Sequence, residues 1–306
     1  MPSDPAEHRF QVSLDGLIDL LANHLYETPA VFVRELLQNA VDAIDARRVL
    51  EPTLEPEIRM ELVGGDPGPP TLVFSDNGIG LTEPQVHDFL ATIGQSAKRG
   101  SLPERDGGYL GQFGVGLLSC FVVAEEVVVI TRSCEEGQPA LEWIGRADGS
   151  YAVRQLESPI GVGTTVFLRF REKARKEFDR ARLRGLIRHY GEFLPIPILM
   201  VDGDSAERVN SQLPPWRASG AEGLSSASAA DFANTRFGFD PVDSFPIRSK
   251  TAGVRGLAYV IPQKVNLTAE PAHRVYLKGM LLSDSVSNLL PRWAVFLRCV
   301  VDTDRL

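Results

Sequence analysis

The chain has 306 residues, 43% hydrophobic and 24% charged, enough for about two globular domains. Its formal net charge of −8 disfavours a protein that grips nucleic acid through its overall field. No run approaches the ~20 apolar residues of a membrane span, and the first eleven residues lack the apolar core of a secretory signal. The three cysteines, Cys120, Cys134 and Cys299, form no CxxC pair, which suits a reducing compartment and a cytoplasmic location. The five histidines are scattered singly, without metal-ligand spacing.

Taken in chain order, residues 14–25 have helical periodicity. Pro29 opens a long helix running to about Arg48. Within it Glu35, Asn39 and Asp42 fall at i, i+4 and i+7 and share one face. Val33, Leu36, Leu37, Ala40, Val41 and Ile44 fill the other faces and seek burial. A row of carboxylate, amide and carboxylate on an apolar helix is costly unless something occupies it. A magnesium-bound nucleotide phosphate is a natural occupant, because hard cations take oxygen ligands.

Residues 58–63 and 71–75 read as a β-hairpin with a longer loop. DNGIG, residues 76–80, ends the second strand, and Thr82 caps a short helix over 83–91. Gly78 and Gly80 allow close backbone approach or positive φ. Asp76 is then placed to accept a hydrogen bond from an exocyclic amino group, although Asp-Asn-Gly is also an ordinary turn. From Thr92 to Gly116 seven glycines punctuate a polar stretch that buries little and reads as a lid. Its end, GQFGVG at 111–116, precedes an expected helix over 117–123, and helix N-termini suit phosphate. It is neither a Walker A loop nor a GxGxxG fingerprint. Strands are expected at 127–132, 141–145 and 165–170, with GVGTT at 161–165 placing the hydroxyl of Thr164 before the last. An amphipathic helix over 180–193 and a strand over 196–201 follow. The basic run 169–188 is punctuated by acids and reads as a solvated helix face. Residues 204–230 are rich in Ser, Ala, Gly and Pro and read as a linker and entry to a second unit. That unit, 231–306, carries strands at 256–261 and 274–278 and an apolar segment over 289–301, and its end straight after a strand suggests a boundary inside a domain.

The order of these motifs within ~130 residues resembles the GHKL ATPase superfamily of gyrase B, mismatch-repair, histidine-kinase and heat-shock proteins. Within it, the chain looks like the heat-shock protein 90 chaperones of the bacterial HtpG type. The resemblance rests on FVRELLQNAVDAIDARR (32–48), DNGIGLT (76–82), ATIGQSAKRG (91–100), GQFGVGLLSCFVVA (111–124) and RHYGEFLPIPI (188–198). It continues more loosely through VNSQLPPW (209–216), RVYLKGMLLSD (274–284) and LPRWAVFLRCVVDTDRL (290–306).

The resemblance implies an α+β fold, a two-layer sandwich with a mixed, mostly antiparallel sheet. Residues 1–203 would form the ATP-binding domain and 231–306 part of an αβ middle domain. It implies Glu35 as the base that orients and deprotonates water, Asn39 as magnesium ligand and Asp42 as a pocket residue. Asp76 would read adenine, helped by Gly80, Leu81 and Thr164. Gly111, Gln112, Phe113, Gly114, Val115 and Gly116 would form the lid hinge on the phosphates, and Lys98, beside Ser96, would reach them from the lid. The implied activity is slow Mg2+-dependent hydrolysis of ATP to ADP, coupled to a chaperone cycle on unfolded or partly folded clients. A homodimer is implied for the full-length protein and a monomer for a piece of it. The alternative is another GHKL ATPase, such as a topoisomerase or mismatch-repair enzyme.

Three departures stand out. Leu81 replaces a usual Met, YETPAVF replaces a charged approach to the long helix, and AKRG replaces a Gly-Thr-Lys in the lid. The family's γ-phosphate arginine belongs to a Ser-Arg-Glu motif that would follow Leu306, and neither Arg292 nor Arg298 matches it. Weak turnover is therefore expected.

Overall fold

A computed structural model of the chain describes residues 29–65, 68–90, 116–210, 213–217, 226–249, 253–264 and 272–304. The expected helix over 14–25 and most of the expected lid, with Ser96, Lys98, Gly111, Gln112, Phe113, Gly114 and Val115, lie outside the described residues.

Helix α1 spans Val31–Leu50 and buries Phe32, Val33, Leu36, Leu37, Ala40, Val41 and Ile44. Its first turn is anchored by Phe32, whose ring meets Phe178 edge-on at 5.2 Å and Phe170 at 6.1 Å. Arg47 and Arg48 occupy its last turn, where cations oppose the partial negative charge of the carbonyl end. Strands β1 (Ile58–Val63) and β2 (Thr71–Asp76) form the expected hairpin, with Ile58 opposite Asp76 and Val63 opposite Thr71. Helix α2 spans Glu83–Leu90. At its start the Thr82 N–H donates to Gln85 Oε1 at 2.9 Å, the reciprocal half of a capping box.

Residues 117–123 were expected to form one helix. They form a 3-10 turn, Gly116–Ser119, running into the short helix α3, Cys120–Val123. The Ser119 hydroxyl donates to the Gly116 carbonyl at 2.6 Å, holding the tighter turn. Then come β3 (Ala124–Arg132), β4 (Ala140–Arg146), β5 (Tyr151–Leu156) and β6 (Gly163–Phe170). Helix α4 is Glu172–Arg175 and α5 is Arg180–Gly191, the latter capped by Asp179, which accepts from the Arg182 N–H at 2.7 Å. Strands β7 (Ile198–Asp202) and β8 (Ser205–Arg208) complete the first sheet.

The strand order is β5-β4-β3-β6-β2-β1-β7-β8. In this sheet, among the described residues, only the β1–β7 pair is parallel. Register places Met60, Phe74, Val166, Val129, Trp143 and Met200 on one face, and all are buried in a core shared with α1 and α5. One sheet face is therefore covered by helices: the α+β, mostly antiparallel sandwich expected.

Pattern reading missed β5 and β8. Their residues are exposed or half-buried throughout, so neither shows alternation, and each lies at an edge of the sheet. β8 falls within the stretch read as linker, as do the 3-10 turn Pro215–Arg217 and the start of helix α6, Ser226–Phe237.

A second sheet holds β9 (Asp243–Ser249), β10 (Val254–Val260), β11 (His273–Leu277), β12 (Met280–Val286) and β13 (Leu297–Thr303), in the order β12-β11-β13-β10-β9. β9 contains Pro246, which an edge strand tolerates. Phe232, Ala229 and Ala233 of α6 pack with Trp216 on Leu257, Tyr259, Tyr276 and Val300. Lys278 (φ 52°) and Gly279 (φ 88°) make a two-residue hairpin between β11 and β12. This turn touches the first unit: a Cβ on Gly279 would lie 2.3 Å from the Phe193 carbonyl oxygen. Leu277 and Met280 accordingly belong to the first core and Phe193 to the second.

Candidate functional site

Glu35, Asn39 and Asp42 do line one side of α1. Glu35 and Asp42 are half-buried and Asn39 is exposed, while Leu36, Leu37, Ala40 and Val41 between them are buried. The Glu35 Oε1 atom accepts from Arg34, at 3.2 Å from Nε and 2.8 Å from Nη2. Its other oxygen faces Gly116, where an added Cβ would sit 2.7 Å from Oε2. Any side chain at 116 would displace the carboxylate. Cys120 lies beneath: burial pushes its thiol up, and the Glu35 charge adds to that.

Asp76 ends β2 opposite Thr164 of β6. It is half-buried, and burial pushes its carboxyl from 3.8 up to about 7. Two main-chain N–H groups partly offset this, from Gly78 at 2.8 Å and from Thr164.

The DNGIG corner is bolted to the far half of α1. The Ile79 N–H donates to the Ala43 carbonyl at 2.9 Å, and the Arg47 guanidinium donates to the Asn77 carbonyl at 3.0 Å. Asn77 spans to the chain before β1: its Oδ1 accepts from the Glu57 N–H at 2.9 Å and its Nδ2 donates to the Glu55 carbonyl at 2.7 Å. Gly78 is needed for space, since a Cβ there would fall 2.6 Å from the Ala43 Cβ. Gly80 is needed twice over: its φ is +66°, and a Cβ would come within 1.9 Å of the Arg132 carbonyl oxygen. The two glycines thus let helix and strands close on the corner.

A residue that motif reading missed ties the corner together. Thr131 of β3 is fully buried. Its Oγ1 accepts from the Leu81 N–H at 3.0 Å, lies 3.1 Å from the Thr164 hydroxyl and donates to the Gly163 carbonyl at 3.1 Å. Arg34 and Arg47 were missed as well. All three carry no local signal; Thr131 is one position in an apolar strand, and its partners lie 32 to 50 residues away.

The donor set suits a purine nucleotide. Asp76 has acceptor capacity beyond its two N–H partners, Thr164 brings a hydroxyl beside it, and α1 carries an oxygen-rich face from there to Gly116. Among the described residues no group of three or more His, Cys, Asp and Glu could hold a metal ion by itself, so a cation here would need oxygen atoms from a ligand. A helix that carries a carboxylate at one end, and is bolted at the other to a strand end whose carboxyl keeps acceptor capacity, is an arrangement with room for both the phosphate and the base of a nucleotide.

Comparison with known proteins agrees. Residues 26–158 match the family model described as histidine kinase-, DNA gyrase B-, and HSP90-like ATPase. Over 98% of its length it is 31% identical to the chaperone protein HtpG of Myxococcus xanthus and 31% identical to that of Methylorubrum populi. Over 97% it is 29% identical to that of Shouchella clausii. The chain spans about half the length of these curated relatives, covering 50%, 51% and 53% of them respectively. They are chaperones, so the topoisomerase alternative is not favoured.

Proposed function

We propose that this chain is the ATP-binding region, with part of the following middle region, of an HtpG-type chaperone, dividing near residues 204–230. The reading is carried by one observation: the Glu35 carboxylate stands against Gly116 on the same helix whose other half is bonded to the Asp76 corner. Adenine and γ-phosphate subsites are thereby held at a set distance by one rigid element.

In this reading Asp76 accepts the adenine amino group, with Leu81 beside it and the Thr131–Thr164 hydroxyl pair fixing the strand ends. Asp42 lines the pocket. The N–H groups from Gly111 to Gly116, through Gln112, Phe113, Gly114 and Val115, meet the phosphates, and Lys98 approaches from the lid. Asn39 would help to hold a magnesium ion, which when bound would neutralise charge at the phosphates. Glu35 takes the proton of the attacking water, and Arg34 orients the carboxylate until then. Catalysis is mostly positioning and electrostatics. Clients would be unfolded or partly folded proteins; a homodimer and a cytoplasmic location would belong to the longer protein.

Replacing Glu35 by Ala tests this. Calorimetric titration with Mg-ADP should show binding kept within a few-fold, while hydrolysis falls by roughly 100-fold or more. Absence of any nucleotide binding at millimolar concentration would sink the reading.

A further inference from the structure

A pocket of about 330 Å3 opens at the C-terminal end of α6, remote in sequence from the Asp76 corner. Its wall brings together Arg236 of α6, Arg274 of β11 and Arg298 of β13, with Phe237, Phe239 and Asp284. Three guanidiniums in one small cavity repel one another unless acids balance them. Arg236 is balanced by an ion pair with Glu192. Arg274 is balanced only loosely, 3.9 Å from the half-exposed Asp284. Among the described residues no ion pair reaches Arg298, whose guanidinium donates to the carbonyls of Val295 (3.4 Å) and Leu297 (3.1 Å). The pocket thus keeps an excess of positive charge.

A second observation points the same way. Arg274 is 8% exposed, yet its Nε is buried without a hydrogen-bond partner. A buried donor left unmet usually marks a missing acceptor. Burial also pulls Arg236 and Arg298 below the usual guanidinium range, with the Arg274 charge adding to this at Arg236. Charge this poorly solvated is stabilised by any anion that enters. The apolar part of the wall has its own geometry: the Phe237 and Phe239 rings lie 5.9 Å apart at 24°. Such a surface suits a flat apolar group.

We propose that this pocket binds an oxyanion carried on a small aromatic group, with Arg298 and Arg274 holding the phosphate or carboxylate and the Phe237–Phe239 pair holding the ring. Guanidinium groups suit this because their planar forks match carboxylate and phosphate oxygens two at a time. The proposal is independent of the nucleotide reading and would survive its failure.

The test is calorimetric titration of the whole chain with phenyl phosphate, benzoate and inorganic phosphate in turn, with Mg-ADP saturating. Saturable binding of phenyl phosphate or benzoate is expected, about 10-fold tighter than inorganic phosphate and weakening as NaCl is raised. Preference between the first two says whether phosphate or carboxylate is the natural group. Arg298→Gln should weaken binding about 10-fold or more and Arg298→Lys less, with unchanged far-UV circular dichroism and unchanged Mg-ADP affinity. Gln263→Glu adds a negative charge on an exposed lining residue without touching the core. It should also weaken binding, and it decides the matter if the Arg298 variants do not fold. No saturation up to 10 mM, or unchanged affinity in Gln263→Glu and in folded Arg298→Gln, would overturn the proposal.

Discussion

Two aspartates at strand ends meet opposite fates in this molecule. Asp302, near the end of β13, is 2% exposed and saturated by protein donors. It accepts from Trp216 Nε1 at 3.2 Å, Arg217 at 2.7 Å and the Gly279 N–H at 3.0 Å. It therefore joins the 3-10 turn at 215–217, the β11–β12 hairpin and β13. Asp76, at the end of β2, receives two main-chain N–H groups and, among the described residues, no cation, and burial holds its carboxyl at about 7. A carboxylate that the fold neutralises is a structural pin, and one left short of donors is a group waiting for a ligand.

Removing each carboxylate should sharpen that contrast. Asp302→Ala strands the buried Trp216 and Gly279 donors and leaves Arg217 without this acid. A loss of about 3–5 kcal/mol in denaturant unfolding is expected, with Mg-ADP affinity retained in whatever chain stays folded. A loss under about 1 kcal/mol would erase the contrast with Asp76. Thr131→Val should cost about 1–3 kcal/mol, because the Leu81 N–H loses its acceptor in a tightly packed corner. It should also weaken nucleotide binding, which Asp302→Ala should not.

The smallest effect is one of pH. Between 3.8 and about 7 the folded Asp76 carboxyl holds a proton that the unfolded chain releases. Its contribution favours the folded state below pH 3.8 and is lost as pH rises through about 7. Asp76→Asn should remove that slope from a plot of unfolding free energy against pH. Nucleotide affinity should run the other way, rising through pH 7 as the carboxyl ionises and becomes the stronger acceptor for an amino group. An affinity independent of pH between 6 and 8 in the unaltered chain would contradict a role for the ionised Asp76 carboxylate as the acceptor.

Much of the first unit was readable from local pattern. The face of Glu35, Asn39 and Asp42 follows from helical spacing alone, and DNGIG announces a strand end with a positive-φ glycine, found at Gly80. Edge strands were not readable: β5 and β8 bury too little to alternate. Helix α6 was missed for another reason. Its sequence, SASAADFANTRF, begins with small residues, and its buried Ala229, Phe232 and Ala233 are too few to stand out from a linker.

The sequence by itself determined which side chains share a helix face and where the glycines must break the chain, because both depend on backbone periodicity and sterics within a few residues. Only the tertiary structure decided what those residues meet. Thr131 became the partner of Leu81 and Thr164, Arg47 the clamp on Asn77, and Asp302 the pin between the 215–217 turn and the β11–β12 hairpin. Each such contact joins residues tens of positions apart, and hydrogen bonds of that reach are set by how sheets and helices stack, which no local pattern encodes.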